Sequence, residues 1–505
     1  MPLPPTFSSL GEDVMINVLA FLGPTDIIAI GRTCKTFRSA TARRVVWLEA
    51  VRGMMYDHGI PSRTYPLDAL DVPSLIHIAL SPLKFARRIL NIKEDSPLDP
   101  SSAWVFLYRL DKSTLKQFSL KNVSESYSYD DVYLVPGGRF VLTMRRGETL
   151  LETPATLLQL WDIGIPGSRQ DIAHLAGVTY PVTVEDFSRY AVAPSTDGNG
   201  LFLITETREN EQIILSVHLV HPFGPPSTPI AVNKLALGVS HPVISWAISD
   251  TRMATAEATG RVVVWDFVSG KSAAWSVGII PDVASQDDTL RIHLHGNDVF
   301  LAWDANLFQW GIPEMTLMND LKNLKNRRPL FTFTNLFVKD DENISHLAPP
   351  PFIDNHSTYV GVQSPWSSQF AHSRFMLITR GSNLALYKMQ AIENTMSCQG
   401  ELPTILPTRV AVSDDFSGVS STTALWGLRR CQDDQIFVSM EDSRSPLVHL
   451  VSTSGPQNSG AISGVRLSLG IAATVLQVSI CPATGRLCVL THEGDILIVD
   501  YLSHS

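Results

Sequence analysis

The sequence predicts a multidomain chain: a small all-α region and a helical connector, followed by a large all-β part. Three observations carry that expectation. Apolar residues recur at helical spacing over roughly the first hundred positions and almost nowhere after them. From about residue 113, apolar runs of about four to eight residues alternate with Gly, Pro, Asp, Asn and Ser turns. Those runs also share a recurring layout, as repeat architectures do.

Composition bounds the function. The chain has 505 residues, 44% apolar and 18% charged, which excludes a disordered protein and implies a large buried core. Lys plus Arg total 40 against 49 Asp plus Glu, a net charge of −9. Such a chain has no general attraction for polyanions, so nucleic acid and membrane surfaces are not expected partners. The cysteines, Cys34, Cys398, Cys431, Cys481 and Cys488, are odd in number, scattered and without a C-x-x-C pair. A disulfide framework is therefore not expected, and a reducing compartment is. Residues 1–11 hold no base, and the apolar run 14–22 is interrupted by Asn17. It is too short for a bilayer and wrongly flanked for a secretory leader. A cytoplasmic or nuclear protein is expected, with the Asn-x-Ser sites at Asn122, Asn343 and Asn355 as chance matches.

The helical elements follow in order. Ser9 and Glu12 have the spacing of a capping box. Val14, Val18 and Phe21 then fall at i, i+4 and i+7, widened by Leu19 and Leu22, and Gly23-Pro24 ends the helix. Thr25-Asp26 caps a second one, with Ile27, Ile30, Cys34 and Phe37 in register. A third helix spans 45–56, with Trp47, Val51 and Met55 at fourfold spacing. A bundle this small cannot bury so many apolar residues, so a partner or docked neighbour is implied.

These residues carry a resemblance. Leu10-Gly11-Glu12-Asp13-Val14, Val18-Leu19, Phe21-Leu22, Pro24-x-Asp26-Ile27, Cys34-Lys35-x-Phe37-Arg38 and Trp47 resemble an F-box over about 45 residues. Gly11 stands where the pattern has Pro and Thr33 where it has Val, departures that weaken contact without abolishing it. The resemblance implies docking on a Skp-family adaptor and, through it, on a cullin-RING ubiquitin ligase. It places Leu10, Val14, Val18, Leu22, Pro24, Asp26, Ile27, Cys34 and Phe37 at or near that interface. Packing alone would account for the periodicity, but not for the Pro-x-Asp-Ile and Cys-Lys-x-Phe-Arg punctuation.

Two connector helices are expected next. One opens at Pro73-Ser74; the other has Pro82 at its first position, with Phe85, Ile89 and Leu90 in register. Residues 94–102 read as a boundary loop. The expected domains are 1–60, 61–112 and 113–505.

In the third of these, His241 through Ser249, then 252–256, then Gly260-Arg261-Val262-Val263-Val264-Trp265-Asp266 and Ser269-Gly270-Lys271 resemble one WD repeat. Weaker copies run from Pro136 to Trp161-Asp162 and from Cys481 to Asp500. Third strands marked by Trp161, His218, Trp265, Trp310, Tyr387, Val451 and Val499 predict a seven-bladed all-β propeller. Its units average about 55 residues, beyond the usual repeat length, so long loops are expected. The last unit lacks an outer strand, and residues 115–120 are expected to supply it and close the ring, which removes sheet edges.

Catalytic chemistry is sparse. Gly270-Lys271-Ser272 lacks the earlier Gly of a phosphate loop, that position being Trp265, and it lies in a strand-to-strand turn. His293 and His295 share a strand face without an evident third ligand. No metal, cofactor or active site is expected.

One constellation points to binding. Five turns between second and third strands carry Arg: Arg145 (with Arg146), Arg208, Arg261, Arg380 and Arg444. Converging guanidiniums suit a phosphorylated or acidic peptide. F-box proteins with WD propellers often use rim arginines in this way, so the resemblance implies the same. Glu148, Glu206, Glu257, Glu441 and Glu493 share these turns, as on any mixed-charge surface. The expected function is that of a substrate receptor in a Skp–cullin–F-box ligase, the partners doing the catalysis. The alternatives are a non-ligase interaction scaffold and a propeller enzyme, the last disfavoured by the lack of clustered His, Asp and Glu on inner strands.

Overall fold

The structure, a computed structural model, describes residues 11–92, 96–106, 120–123, 129–149, 154–166, 172–180, 187–209, 212–223, 229–239, 243–257, 259–277, 290–303, 306–317, 327–333, 358–362, 373–380, 383–391, 405–413, 426–431, 434–442, 445–451 and 462–503.

The N-terminal helices are α1 (Glu12–Leu19), α2 (Pro24–Gly31), α3 (Lys35–Thr41) and α4 (Arg44–Asp57). Gly11, not Ser9, is the N-cap of α1, and Ser9 lies outside the described residues. The Glu12 carboxylate pairs instead with Arg43 at 2.6 Å, on the surface. Met15, Leu19, Ile27, Trp47, Val51 and Met55 form the small core. The Trp47 indole donates to the Thr41 carbonyl at 2.8 Å and ties α4 to the end of α3.

The connector departs from expectation. One helix, α5 (Val72–Leu90), replaces two, and Pro82 lies inside it rather than at its start. Asp71 caps it, accepting from the Ser74 amide at 3.0 Å. An internal proline costs a helix roughly 3 kcal/mol. Here Leu75, Ile78, Phe85 and Ile89 bury along one continuous face on both sides of Pro82. At about 1.5–3 kcal/mol for each buried large side chain, that face outweighs the break.

Strands follow. β1 is Ser102–Phe106 and β2 is Leu120–Val123. The first sheet holds β3 (Asp131–Leu134), β4 (Phe140–Thr149), β5 (Pro154–Asp162) and β6 (Ala173–Tyr180), with β2 on β4 beyond β3. The second holds β7 (Phe187–Pro194), β8 (Leu201–Glu209), β9 (Gln212–Val220) and β10 (Ile230–Val239). The third holds β11 (Val243–Ser249), β12 (Arg252–Glu257), β13 (Arg261–Asp266) and β14 (Lys271–Ser276). β15 (Arg291–His295), β16 (Asp298–Trp303) and β17 (Asn306–Gly311) begin the fourth sheet. The chain then crosses to β14 as β18 (Thr316–Leu317) and returns as β19 (Phe331–Phe333), stitching two sheets together.

The fifth sheet holds β20 (Thr358–Val362), β21 (Ser373–Arg380), β22 (Asn383–Ala391) and β23 (Ile405–Ser413). The sixth holds β24 (Trp426–Cys431), β25 (Asp434–Asp442), β26 (Ser445–Val451) and β27 (Ile462–Arg466). The last joins β28 (Val475–Cys481), β29 (Arg486–Thr491) and β30 (Ile496–Asp500) to β1. All seven third-strand markers fall in the third strands of separate sheets.

The sheets pack as a β-propeller, each against the next and the last against the first. The outer strand of the last sheet is β1, however, not residues 115–120. Leu98 bridges Leu467, and Ser101 donates to the Asp500 carbonyl through both its amide (2.8 Å) and its hydroxyl (2.6 Å). The chain therefore reaches β30 directly from α5. Leu120 belongs to β2, on another sheet, and 115–119 lie outside the described residues.

A polar repeat reinforces the ring. Arg139 and Arg486 stand at the start of second strands and pair with Asp162 and Asp500 at the end of third strands, each at 2.6 Å. Arg486 also donates to the carbonyls of Gly138 (2.7 Å) and Gly164 (2.8 Å), across the seam between the last and first sheets.

Candidate functional site

Two surfaces are candidates, and the way the helical region sits on the propeller defines both. The Tyr65 hydroxyl donates to the Gly137 carbonyl at 3.1 Å, and Arg139 donates to the Thr64 carbonyl at 2.8 Å. The Ser62 hydroxyl donates to Gly198 at 3.2 Å. Phe85 packs on Tyr501, ring centroids 6.3 Å apart, and Arg88 donates to the Tyr501 carbonyl. A Cβ on Gly137, which has φ +95°, would stand 2.7 Å from the Thr64 side chain. Gly137, Gly198 and Gly485 occupy turns between the first and second strands of three sheets. In an antiparallel sheet the turns between second and third strands lie at the other end. The helices thus cover part of one rim, and the strand ends that carry Arg208, Arg261 and Arg380 lie toward the opposite rim.

The first surface is the outer face of α1. Val14 and Val18 are 48% and 37% exposed on a helix whose other face is buried, and Phe21, in the turn just past its end, is 91% exposed. Pro24 is half-buried, and Asp26 and Cys34 are exposed nearby in sequence. Leu22 and Phe37 are partly buried against the core. Ile27 is fully buried in the small core beneath that surface. Leu10 lies outside the described residues. Sequence reasoning left Phe21 out of the interface set, although it ends the i, i+4, i+7 stripe that signalled it. The Phe37 amide, the largest influence on it, lowers the Cys34 thiol pKa below its ordinary value.

The second surface is the far rim, and its arginines differ in kind. Arg208, on β8, is exposed. Arg145 is buried, with its guanidinium 4.6 Å over the Tyr129 ring, so it is not the exposed reader the sequence suggested. Arg261 donates to the Leu237 carbonyl at 3.0 Å and lies 3.5 Å from Glu257. Burial pushes the Glu257 carboxyl up to about 7, against the pull of Arg261. Arg380 ends β21 beside the turn into β22, and Arg444 lies outside the described residues. The fold brings Arg145, Arg208, Arg261 and Arg380 toward one rim but seats the guanidiniums of Arg145 and Arg261 in sheet seams.

His293 is buried and tilted against Phe300, 6.3 Å between centroids, and His295 follows on the same strand. Among the described residues no group of three His, Cys, Asp or Glu could hold a metal ion. No helix of the described residues is long and apolar enough to cross a membrane.

Residues 7–49 match the family model of the F-box domain. The chain therefore joins an F-box domain to a C-terminal WD40-like β-propeller. No curated protein sequence matches it. Among solved structures it is similar to a Polycomb Repressive Complex 2 of Chaetomium thermophilum bound to GSK126, at 10% identity and TM-score 0.45, covering 82% of this chain and 100% of that one. It is similar to a crystal structure of the mitotic checkpoint complex at 11% identity and TM-score 0.41, covering 82% and 99%. The C-terminal WD40 domain of Sif2 is similar at 9% identity and TM-score 0.39, covering 75% and 99%. The sheet topology, rather than these likenesses, defines the propeller.

Proposed function

We propose that this chain is the substrate-recognition subunit of a Skp–cullin–F-box ubiquitin ligase. The F-box docks on a Skp-family adaptor through the α1 face, and the propeller, a closed ring of seven blades, holds a target protein. One observation carries the reading: the helices are fused to one rim of the propeller, with the apolar residues Val14, Val18 and Phe21 exposed to solvent. That arrangement supports a rigid bridge between adaptor and target. The chain supplies proximity and orientation, and ubiquitin transfer belongs to its partners. The chemistry fits a target segment carrying phosphate or carboxylate, met by Arg208 and its neighbours on the rim. The reading places the protein in the cytoplasm or nucleus.

Co-purification tests it. Adaptor and cullin should both be recovered with the full chain, and both should be lost when Leu10 and Pro24 are replaced by Ser. Adaptor without cullin would instead mark a non-ligase scaffold, and recovery of neither would remove the ligase reading.

A further inference from the structure

We propose that the helical region carries a second docking site, for a basic amphipathic helix of a partner protein. The site is a groove of about 360 Å³ that begins at Phe21 and runs between the α1–α2 turn, α4 and α5. Met54, Leu80 and Leu83 line it with Phe21, while Asp26, Glu49 and Asp57 supply three carboxylates. No Lys or Arg lines the groove; Glu49 pairs with Arg52, which lies outside the lining, and His58 is the one basic side chain within it. The chemistry is therefore apolar with negative charge, complementary to an apolar side chain flanked by Lys or Arg.

Gly53 adds an independent argument. It sits in the interior of α4, where glycine weakens a helix. Its φ is not positive, and apart from its two chain neighbours and the backbone of its own helix no atom lies within 4 Å of the place a Cβ would take. Neither turn geometry nor internal packing calls for glycine there. A bare stretch of helix in a groove wall lets a second backbone approach closely. The walls are helices with no sheet edge among them, which favours a helical occupant over an added strand. The groove shares Leu22, Pro24 and Asp26 with the adaptor surface, and its walls on α4 and α5, with Glu49, Gly53 and Asp57, distinguish it from that surface.

The test uses the full chain and fluorescence anisotropy. The probe is a labelled synthetic amphipathic peptide with Leu at helical spacing and flanking Lys; its control has Glu in place of every Lys. The Lys peptide should bind about tenfold or more tighter than the Glu peptide, and Gly53→Trp should weaken it by about tenfold. Equal affinity for the two peptides, or unchanged binding by Gly53→Trp, overturns the proposal. Should Gly53→Trp disturb folding, the double variant Glu49→Lys, Asp57→Lys decides: it must reverse the preference between peptides. Self-association abolished by Gly53→Trp would assign the groove to a second copy. Loss of adaptor recovery in a folded Gly53→Trp variant would assign it to the adaptor. Either result overturns the proposal, whereas failure of the adaptor experiment above leaves it standing.

Discussion

Arg486 carries a full charge into the seam between the last and first sheets, 1% exposed, where it bonds Asp500 and the carbonyls of Gly138 and Gly164 on the neighbouring sheet. Breaking such a pair leaves an uncompensated buried charge. Arg486→Met should cost about 3–5 kcal/mol in urea unfolding. The double variant Arg486→Met, Asp500→Leu should regain most of the loss; equal losses would mean the pair itself is not what matters. Asp131 poses a different problem. Burial, its largest influence, raises its carboxyl from 3.8 to about 6, although Gln477 and Tyr190 from the two flanking sheets donate to it. A raised folded pKa means the folded chain binds the proton more tightly than the unfolded one, so this contribution to stability is present below about pH 4 and lost as pH rises through about 6. Asp131→Asn should accordingly raise the melting temperature more at pH 7.5 than at pH 4.5, as read by scanning fluorimetry. An equal shift at both values would refute the assignment.

Among the elements, β1 latches the ring. Phe106 at its end packs on Trp161 and Tyr129, with ring centroids 5.6 and 5.9 Å away. Phe106→Ala should destabilise the propeller by about 3–5 kcal/mol in denaturant unfolding, through the cavity left in that seam. A loss under about 1 kcal/mol would show the strand to be dispensable. The sequence conveyed that an outer strand was missing but not which segment fills it. Ser102–Phe106 alternates weakly, with burial falling on Phe106 and little else, so period-two reasoning has almost no purchase on it. Pro82 misled for a related reason: local chemistry marks a helix start, and only the joint burial of Leu75 and Phe85 overrides it. The third strands, by contrast, were legible because Trp161, Trp265 and Trp310 fill the seams themselves. On the candidate surfaces, the stripe of α1 could be read from spacing. The seating of Arg145 could not, because it depends on Tyr129 from outside its own hairpin.

At the scale of the whole molecule, the two rims have separate duties in the proposed function, and substitutions should separate them. Replacing Arg208, Arg380 and Arg444 with Glu should reduce target capture about tenfold or more while adaptor recovery stays unchanged. Capture unaffected by all three would remove the arginine rim as the reading surface. Variants of the α1 stripe should do the reverse.

The pairing of β1 with β30 joins positions far apart along the polypeptide: the hydroxyl of Ser101 meets the Asp500 carbonyl across 399 positions. A ribosome makes β1 and α5 well before β30 and Tyr501. Until β30 and Tyr501 emerge, the ring cannot shut, and Phe85 has no aromatic surface on which to rest. Such long-range closure is slow. A product truncated before β30 would keep the contacts of residues 62–65 with Gly137, Arg139 and Gly198 but leave Phe85 and the seam between the last and first sheets exposed. Only a chain that includes β30 closes its ring.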